Sequence, residues 1–196
     1  PQFIIAYYAI LKAGGTVVNF NPLYSEHEIE HQINDSKVEV MFTLNLRILY
    51  PKLKPFIGTT TLRKVVVGFF QEALPMSKAA LYTVARAKDL YLPPKNEHHT
   101  TLNDLLAYAP IKPSKIPMLL PSEHMAVIQY TGGTTGVPKG AILTHANVYI
   151  NTVQSSMWMD GLNPGEEIML AVLPFFHVFA MTVALNLSIY NGFKII

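Results

Sequence analysis

The chain has 196 residues, 50% of them hydrophobic and 14% charged, which excludes intrinsic disorder because so apolar a chain buries enough surface to offset the entropy of ordering. Fifteen basic residues against thirteen acidic ones leave a net charge of +2; the basic residues are unclustered, so a nucleic-acid partner has no electrostatic footprint. There is no cysteine, which excludes disulfides, thiolate metal sites and a cysteine nucleophile, and suits a reducing compartment.

In chain order, an apolar helix opens at about Phe3 and stops at Gly14-Gly15, the expected punctuation of a helix C-terminus. Thr16 to Phe20 is strand-like and closes on Asn21-Pro22. Ser25 with Glu28 forms a capping box that opens a helix running to about Asp35. Val38 to Thr43 and Lys64 to Gly68 are short apolar strands suited to burial on both faces. Ser77 to Tyr91 is a weaker helix, with Leu81, Val84 and Ala85 in register. From Lys95 to Ser122 the chain is polar and Pro-rich, apart from a short helix, Leu102 to Tyr108, capped by Thr101. Met125 to Tyr130 is a strand, Thr131 to Gly140 a loop, Ala141 to Thr144 a strand and His145 to about Trp158 a helix. Ile168 to Leu173 reads as a buried strand, Pro174 as the start of a buried helix and Phe193 as the start of a last strand. Strands alternating with helices predict an α/β fold, a mostly parallel sheet layered with helices, with its irregular part over 69–122.

Two segments test a membrane span. Phe3 to Leu11 is nine apolar residues, too few for ~30 Å of hydrocarbon. Ile168 to Tyr190 has 23 residues without Asp, Glu, Lys or Arg, but its Pro174 suits a helix start inside a protein core better than a membrane helix interior. Pro1 at one end and a strand-like Phe193-Lys194-Ile195-Ile196 at the other lead to the expectation that the chain is a piece of a longer protein.

The chemistry concentrates in Tyr130-Thr131-Gly132-Gly133-Thr134-Thr135-Gly136-Val137-Pro138-Lys139-Gly140. Glycines let the backbone approach a ligand closely, and successive N–H groups in such bends make an anion nest. Thr131, Thr134 and Thr135 add hydroxyl donors, and a lysine–phosphate pair at ~4 Å contributes about 4 kcal/mol at an effective dielectric near 20. Pro138 and Gly140 depart from the Walker A pattern, which requires Gly and then Ser or Thr at those positions, so this is a different phosphate loop. A plain Gly-rich strand connection would need only one or two of these features.

This loop resembles the phosphate-loop signature of the adenylate-forming (AMP-binding) superfamily, which includes acyl-CoA synthetases, luciferases and peptide-synthetase adenylation domains. Leu11 to Val18 with Asn21-Pro22, Glu28 to Ser36, and Leu173-Pro174-Phe175-Phe176-His177-Val178-Phe179-Ala180 resemble flanking blocks of that superfamily. Gln129 to Gly133 and the stretch Asn19 to Ser36 are most similar to bacterial long-chain fatty-acid–CoA ligases. The resemblance covers about 1–50 and 124–196. It implies that 1–196 is part of the large N-terminal domain of such an enzyme, without the beginning and end of that domain and without the C-terminal domain. It further implies that ATP and a fatty carboxylate give an acyl-adenylate with Mg²⁺, coenzyme A then displacing AMP. Thr131, Gly132, Gly133, Thr134, Thr135, Gly136 and Lys139 would bind the β- and γ-phosphates. His177, expected as a buried neutral imidazole, would donate a hydrogen bond to the substrate carboxylate. The magnesium ligand, the adenine-binding motifs and the catalytic lysine lie outside the segment, so the piece alone is expected to be inactive.

Other readings stand beside this one. The parent would act on an aryl or medium-chain acid, or the piece would persist as a non-catalytic nucleotide-binding module. From a different class, His27-Glu28-Ile29-Glu30-His31 matches the zincin pattern; it is disfavoured because Glu28 already serves the capping box and Asn34 stands where the longer motif has Gly. Lys78, Arg86 and Lys88 beside Leu81 and Val84 suit a peripheral contact with the inner face of a membrane in an otherwise cytoplasmic protein. An ordinary surface helix is the favoured reading of this segment, because its apolar face is short and Asp89 dilutes the charge. An unpaired sheet edge would favour a homodimer.

Overall fold

The β-branched run Val65-Val66-Val67 forms the middle of a three-stranded parallel sheet in the computed structural model, which describes residues 1–108, 118–132 and 138–196. The chain divides into two compact units, residues 1–6 with 22–112 and residues 7–21 with 113–196, and α1 (Gln2–Lys12) has residues in both.

In the first unit, β2 (Val40–Leu44) and β4 (His99–Thr101) flank β3 (Lys64–Gly68). Val65, Val66 and Val67 are all buried, as an unbroken apolar strand covered on both faces should be. The helix α2 (Glu26–Ser36) opens on the expected capping box: the Glu28 N–H reaches the Ser25 hydroxyl at 3.3 Å, and the Ser25 N–H donates back to the Glu28 carboxylate at 2.8 Å. It buries Ile29 and Ile33. A 3-10 turn, Tyr50–Phe56, adds Tyr50, Leu53 and Phe56 to the core. Buried Asn45 ties strand ends together, its Oδ1 accepting from the Phe70 N–H at 2.8 Å and its carbonyl from the Tyr91 N–H at 2.9 Å. The short helix α4 (Leu102–Leu106) carries its own capping box from Thr101 and Asp104.

The helix expected over Ser77–Tyr91 is α3 (Met76–Ala85), followed by a 3-10 turn at Ala87–Asp89. It buries none of its residues, and Leu81 and Val84 are exposed.

In the second unit, β5 (Met125–Thr131) lies between β1 (Val17–Val18) and β6 (Lys139–Thr144), parallel to the first and antiparallel to the second. Among the described residues, the other paired strands of the sheets run parallel. The strand expected over Thr16–Phe20 shortens to two residues, with Asn19 turned into a side-chain network described below. Thr144 caps α5 (His145–Trp158) through a reciprocal pair with Asn147. A continuous helical stretch follows, α6 (Val178–Ala180), a π-helical segment (Met181–Asn186) and α7 (Leu187–Asn191), burying Ala180, Met181, Ala184, Leu185 and Leu187. Asn186 is buried within it but satisfied: its Oδ1 accepts from the Tyr8 hydroxyl at 2.8 Å and its Nδ2 donates to Tyr7 at 3.3 Å.

The buried strand expected over Ile168–Leu173 is not found. β7 (Ile168–Met169) is two residues long, pairs only with β8 (Lys194–Ile195), and leaves Ile168, Leu170, Val172 and Leu173 exposed, since no described layer covers that two-stranded ribbon. The helix expected from Pro174 begins at Val178, after a turn in which the His177 N–H donates to the Pro174 carbonyl at 3.0 Å. Among the described residues no helix is long and apolar enough to cross a membrane.

Candidate functional site

β5 and β6 form a hairpin whose strands are joined by the Gly/Thr segment, residues 132–138. The expected loop over Thr131–Gly140 is narrower than anticipated: Thr131, Lys139 and Gly140 belong to the strands, with Thr131 opposite Lys139 and Tyr130 opposite Gly140. Directly opposed residues of an antiparallel pair project to the same face, with Cβ atoms about 5 Å apart. The Thr131 hydroxyl and the Lys139 ammonium therefore flank the base of the segment on one face, and both residues are exposed. Gly132 is described as well; Gly133, Thr134, Thr135 and Gly136 lie outside the described residues.

The other face of the hairpin explains Gly140. A Cβ built there would stand 2.7 Å from Ile128 Cγ2 and 3.1 Å from the Tyr130 ring. A glycine after Lys139 thus lets buried Tyr130 lie flat across the strand that carries the lysine.

Gln129 shares its face with Thr131, two residues on, because side chains alternate along a strand. Its Nε2 donates to the Phe176 carbonyl at 3.2 Å, and its Oε1 accepts from Asn19 Nδ2 at 3.0 Å. Asn19 Nδ2 also lies 3.5 Å from the sulfur of Met181 in the π-helical segment. One glutamine amide thereby ties β5, just before the glycine segment, to the residue preceding His177.

His177 is the N-cap of α6, with extended backbone, and its Nδ1 accepts from the Phe179 N–H at 3.4 Å. This corrects the expectation of a buried imidazole: the ring is exposed. The apolar neighbours that suggested burial divide, Ala180 and Met181 going into the core while Val178 and Phe179 remain exposed. An N-cap lies outside the first turn, so its side chain bends back over the helix end. Acceptance at Nδ1 leaves the proton of a neutral ring on Nε2, aimed away from the helix as a donor.

Neither the hairpin strands nor residues 174–180 contain a carboxylate, and among the described residues no cluster of three His, Asp or Glu side chains is placed to hold a metal. A hard cation such as Mg²⁺ prefers carboxylate oxygens, so the described residues do not by themselves make its site. On α2, Glu28 of the His27–His31 pattern is engaged by the Ser25 N–H and hydroxyl, which hold its carboxyl below the usual carboxylate range.

The whole chain, residues 1–196, matches the family model described as AMP-binding enzyme. The chain belongs to that family. It is 38% identical over 197 residues to a long-chain-fatty-acid–CoA ligase of Bacillus subtilis, covering 100% of this chain and 35% of that protein. To the long-chain-fatty-acid–CoA ligase of Escherichia coli O157:H7 it is 34% identical over 198 residues, covering 97% and 34%. Among solved structures, the long-chain-fatty-acid–CoA ligase FadD1 of Archaeoglobus fulgidus superposes with a TM-score of 0.65 at 26% identity, over 99% of this chain and 32% of that one. The chain spans about a third of the length of the curated relatives it matches. In this AMP-binding chain, Thr131, Gly132, Lys139 and His177 of the expected site lie among the described residues, and Gln129 and Asn19, which the expected site lacked, form the side-chain link between β5 and the residue before His177. Polar side chains at 19 and 129, each beside a buried apolar strand, were the available signal.

Proposed function

We propose that the chain is the phosphate-binding part of a long-chain fatty-acid–CoA ligase, which activates a fatty carboxylate with ATP and transfers the acyl group to coenzyme A. The observation that carries this reading is the Gln129 link, which holds the base of the Gly/Thr segment and the His177 turn to one another. The names of the Bacillus and Escherichia relatives support the substrate class.

In this reading a carboxylate oxygen attacks the α-phosphorus of ATP in line, the bond to the β-phosphate bridge breaks, and pyrophosphate leaves. The thiolate of coenzyme A then attacks the acyl carbonyl and AMP departs. The chain's own groups position and neutralise. The Thr131 hydroxyl and the Lys139 ammonium, with Gly132, Gly133, Thr134, Thr135 and Gly136, hold the β- and γ-phosphates, and Lys139 offsets charge on the departing pyrophosphate. His177 Nε2–H donates to the carboxylate and orients it. Bound Mg²⁺ would offset triphosphate charge, but the hairpin strands and residues 174–180, which contain no carboxylate, would not hold it. The same reading includes a cytoplasmic protein that touches the inner face of the membrane peripherally, and a homodimer.

Fatty-acid-dependent ATP–pyrophosphate exchange by the full-length parent that contains this chain tests this. Exchange with long-chain acids is expected. Exchange confined to aryl or medium-chain acids overturns the substrate class, and ATP binding without exchange for any acid reduces the chain to a nucleotide-binding module.

A further inference from the structure

The helix α3 is amphipathic in the wrong sense for a surface helix. At 100° per residue, Met76, Ala80, Leu81 and Val84 share one side, and Ala79 and Tyr82 the opposite one. The second side is the one that packs, with the Tyr82 ring 5.0 Å from Phe70. The apolar stripe faces outward: Met76 is 90% exposed, Leu81 70% and Val84 80%, and Leu92 beyond the helix is 79% exposed. Single exposed aliphatic residues are ordinary, but a stripe of them on one helix side marks an interaction surface.

Its electrostatics select the partner. Between residues 76 and 95 lie Lys78, Arg86, Lys88 and Lys95 against one acid, Asp89. Asp89 is already paired with Arg86 at 3.3 Å. Two more cations adjoin this stretch: Arg47 donates to the Leu90 carbonyl at 3.0 Å, and Lys54 Nζ sits 4.7 Å above the Tyr91 ring. Glu72, just before the helix, accepts a hydrogen bond from Asn103 instead. The exposed stripe is Met76, Leu81, Val84 and Leu92, with no aromatic residue among them, Tyr82 and Tyr91 packing against Phe70 and Tyr50 instead; such a stripe edged by lysines matches a lipid surface carrying negative charge.

We propose that α3 and the chain to Lys95 dock the protein on an anionic bilayer, Met76, Leu81, Val84 and Leu92 entering the headgroup–acyl boundary while Lys78, Lys88 and Lys95 meet lipid phosphates. This deepens the membrane contact of the proposed function by naming its surface. A ten-residue helix is short for such a role, so the attachment is reversible and salt-sensitive.

Co-sedimentation of the full chain with vesicles tests it. Vesicles of equal parts phosphatidylglycerol and phosphatidylcholine should pellet the protein, and pure phosphatidylcholine should not. Lys78→Gln with Lys88→Gln should lower partitioning roughly twenty-five-fold, about fivefold (about 1 kcal/mol) per charge. Met76→Ser, Leu81→Ser and Val84→Ser together should abolish it, with an unchanged melting temperature in the absence of lipid. Equal pelleting with both vesicle types, or undiminished pelleting of the triple variant, overturns the proposal. So does a lowered melting temperature of the triple variant, which would mean that another part of the chain covers the stripe. Conversion of a dimer to a monomer by that variant would assign the stripe to a second copy and likewise overturn it. Exchange by the full-length parent with detergent-dispersed fatty acid is read separately: its absence would refute the ligase reading and leave vesicle binding untouched.

Discussion

Replacing Gln129 by leucine asks whether its amide positions the site or only stabilises the fold. Leucine nearly conserves the volume, so the loss is two hydrogen bonds, one donated to the Phe176 carbonyl at 3.2 Å and one accepted from Asn19 at 3.0 Å. At a net ~1 kcal/mol each, the cost is about 2 kcal/mol, or roughly 4–8 °C of melting temperature for a domain of this size. A purely structural amide would leave exchange per folded molecule unchanged well below the melting transition. If it registers the His177 turn against Thr131, a displacement near 1 Å should slow ATP–pyrophosphate exchange by about 10²-fold. Gln129→Glu sharpens the contrast: its carboxylate still accepts from Asn19 but donates nothing to Phe176, so most of the kinetic loss should persist. Full exchange at 25 °C by either variant, alongside the drop in melting temperature, refutes the positioning argument.

Other consequences are equally direct. His177→Asn keeps a capping acceptor for the Phe179 N–H but removes the Nε2 donor, so melting should be unchanged while exchange falls; parallel losses would make the ring a cap and nothing more. Gly140→Ala pushes a methyl to 2.7 Å from Ile128 Cγ2 and should destabilise by about 1–3 kcal/mol, measured by urea denaturation. Glu28 and Asp104 are held below the usual carboxylate range, the first by the N–H and then the hydroxyl of Ser25, the second by the hydroxyl and then the N–H of Thr101. Because their folded pKa values are depressed, their contribution is present above the unfolded value near 4 and lost as pH falls through the folded one. A melting-temperature series in acid should therefore flatten in Glu28→Gln with Asp104→Asn, and an unaltered slope would show that the caps carry no such linkage.

Local signals were legible because the forces behind them are local. The Ser25–Glu28 and Thr101 caps, the valine strand of β3 and the span of α5 each follow from a few neighbouring residues. Burial was not, since it depends on what arrives from elsewhere in the chain. The run Ile168–Leu173 suggested core and meets no covering layer among the described residues, and nothing in the short apolar register of α3 said that Met76, Leu81 and Val84 would all stay exposed. His177 failed for the same reason, its neighbours dividing between core and solvent around a cap. The amide linking Asn19, Gln129 and Phe176 joins positions 110 and 47 residues apart, beyond any periodicity. The antiparallel β5–β6 pairing escaped notice because seven residues, 132–138, suit a hairpin as well as a bend between separate strands.

The phosphate site is tested most directly by a crystal structure of the full-length parent with a non-hydrolysable ATP analogue and a fatty acid. β- and γ-phosphate oxygens should lie within hydrogen-bond reach of the Thr131 hydroxyl and Lys139 Nζ, with His177 Nε2 turned to the carboxylate. A triphosphate bound away from the β5–β6 hairpin would contradict it.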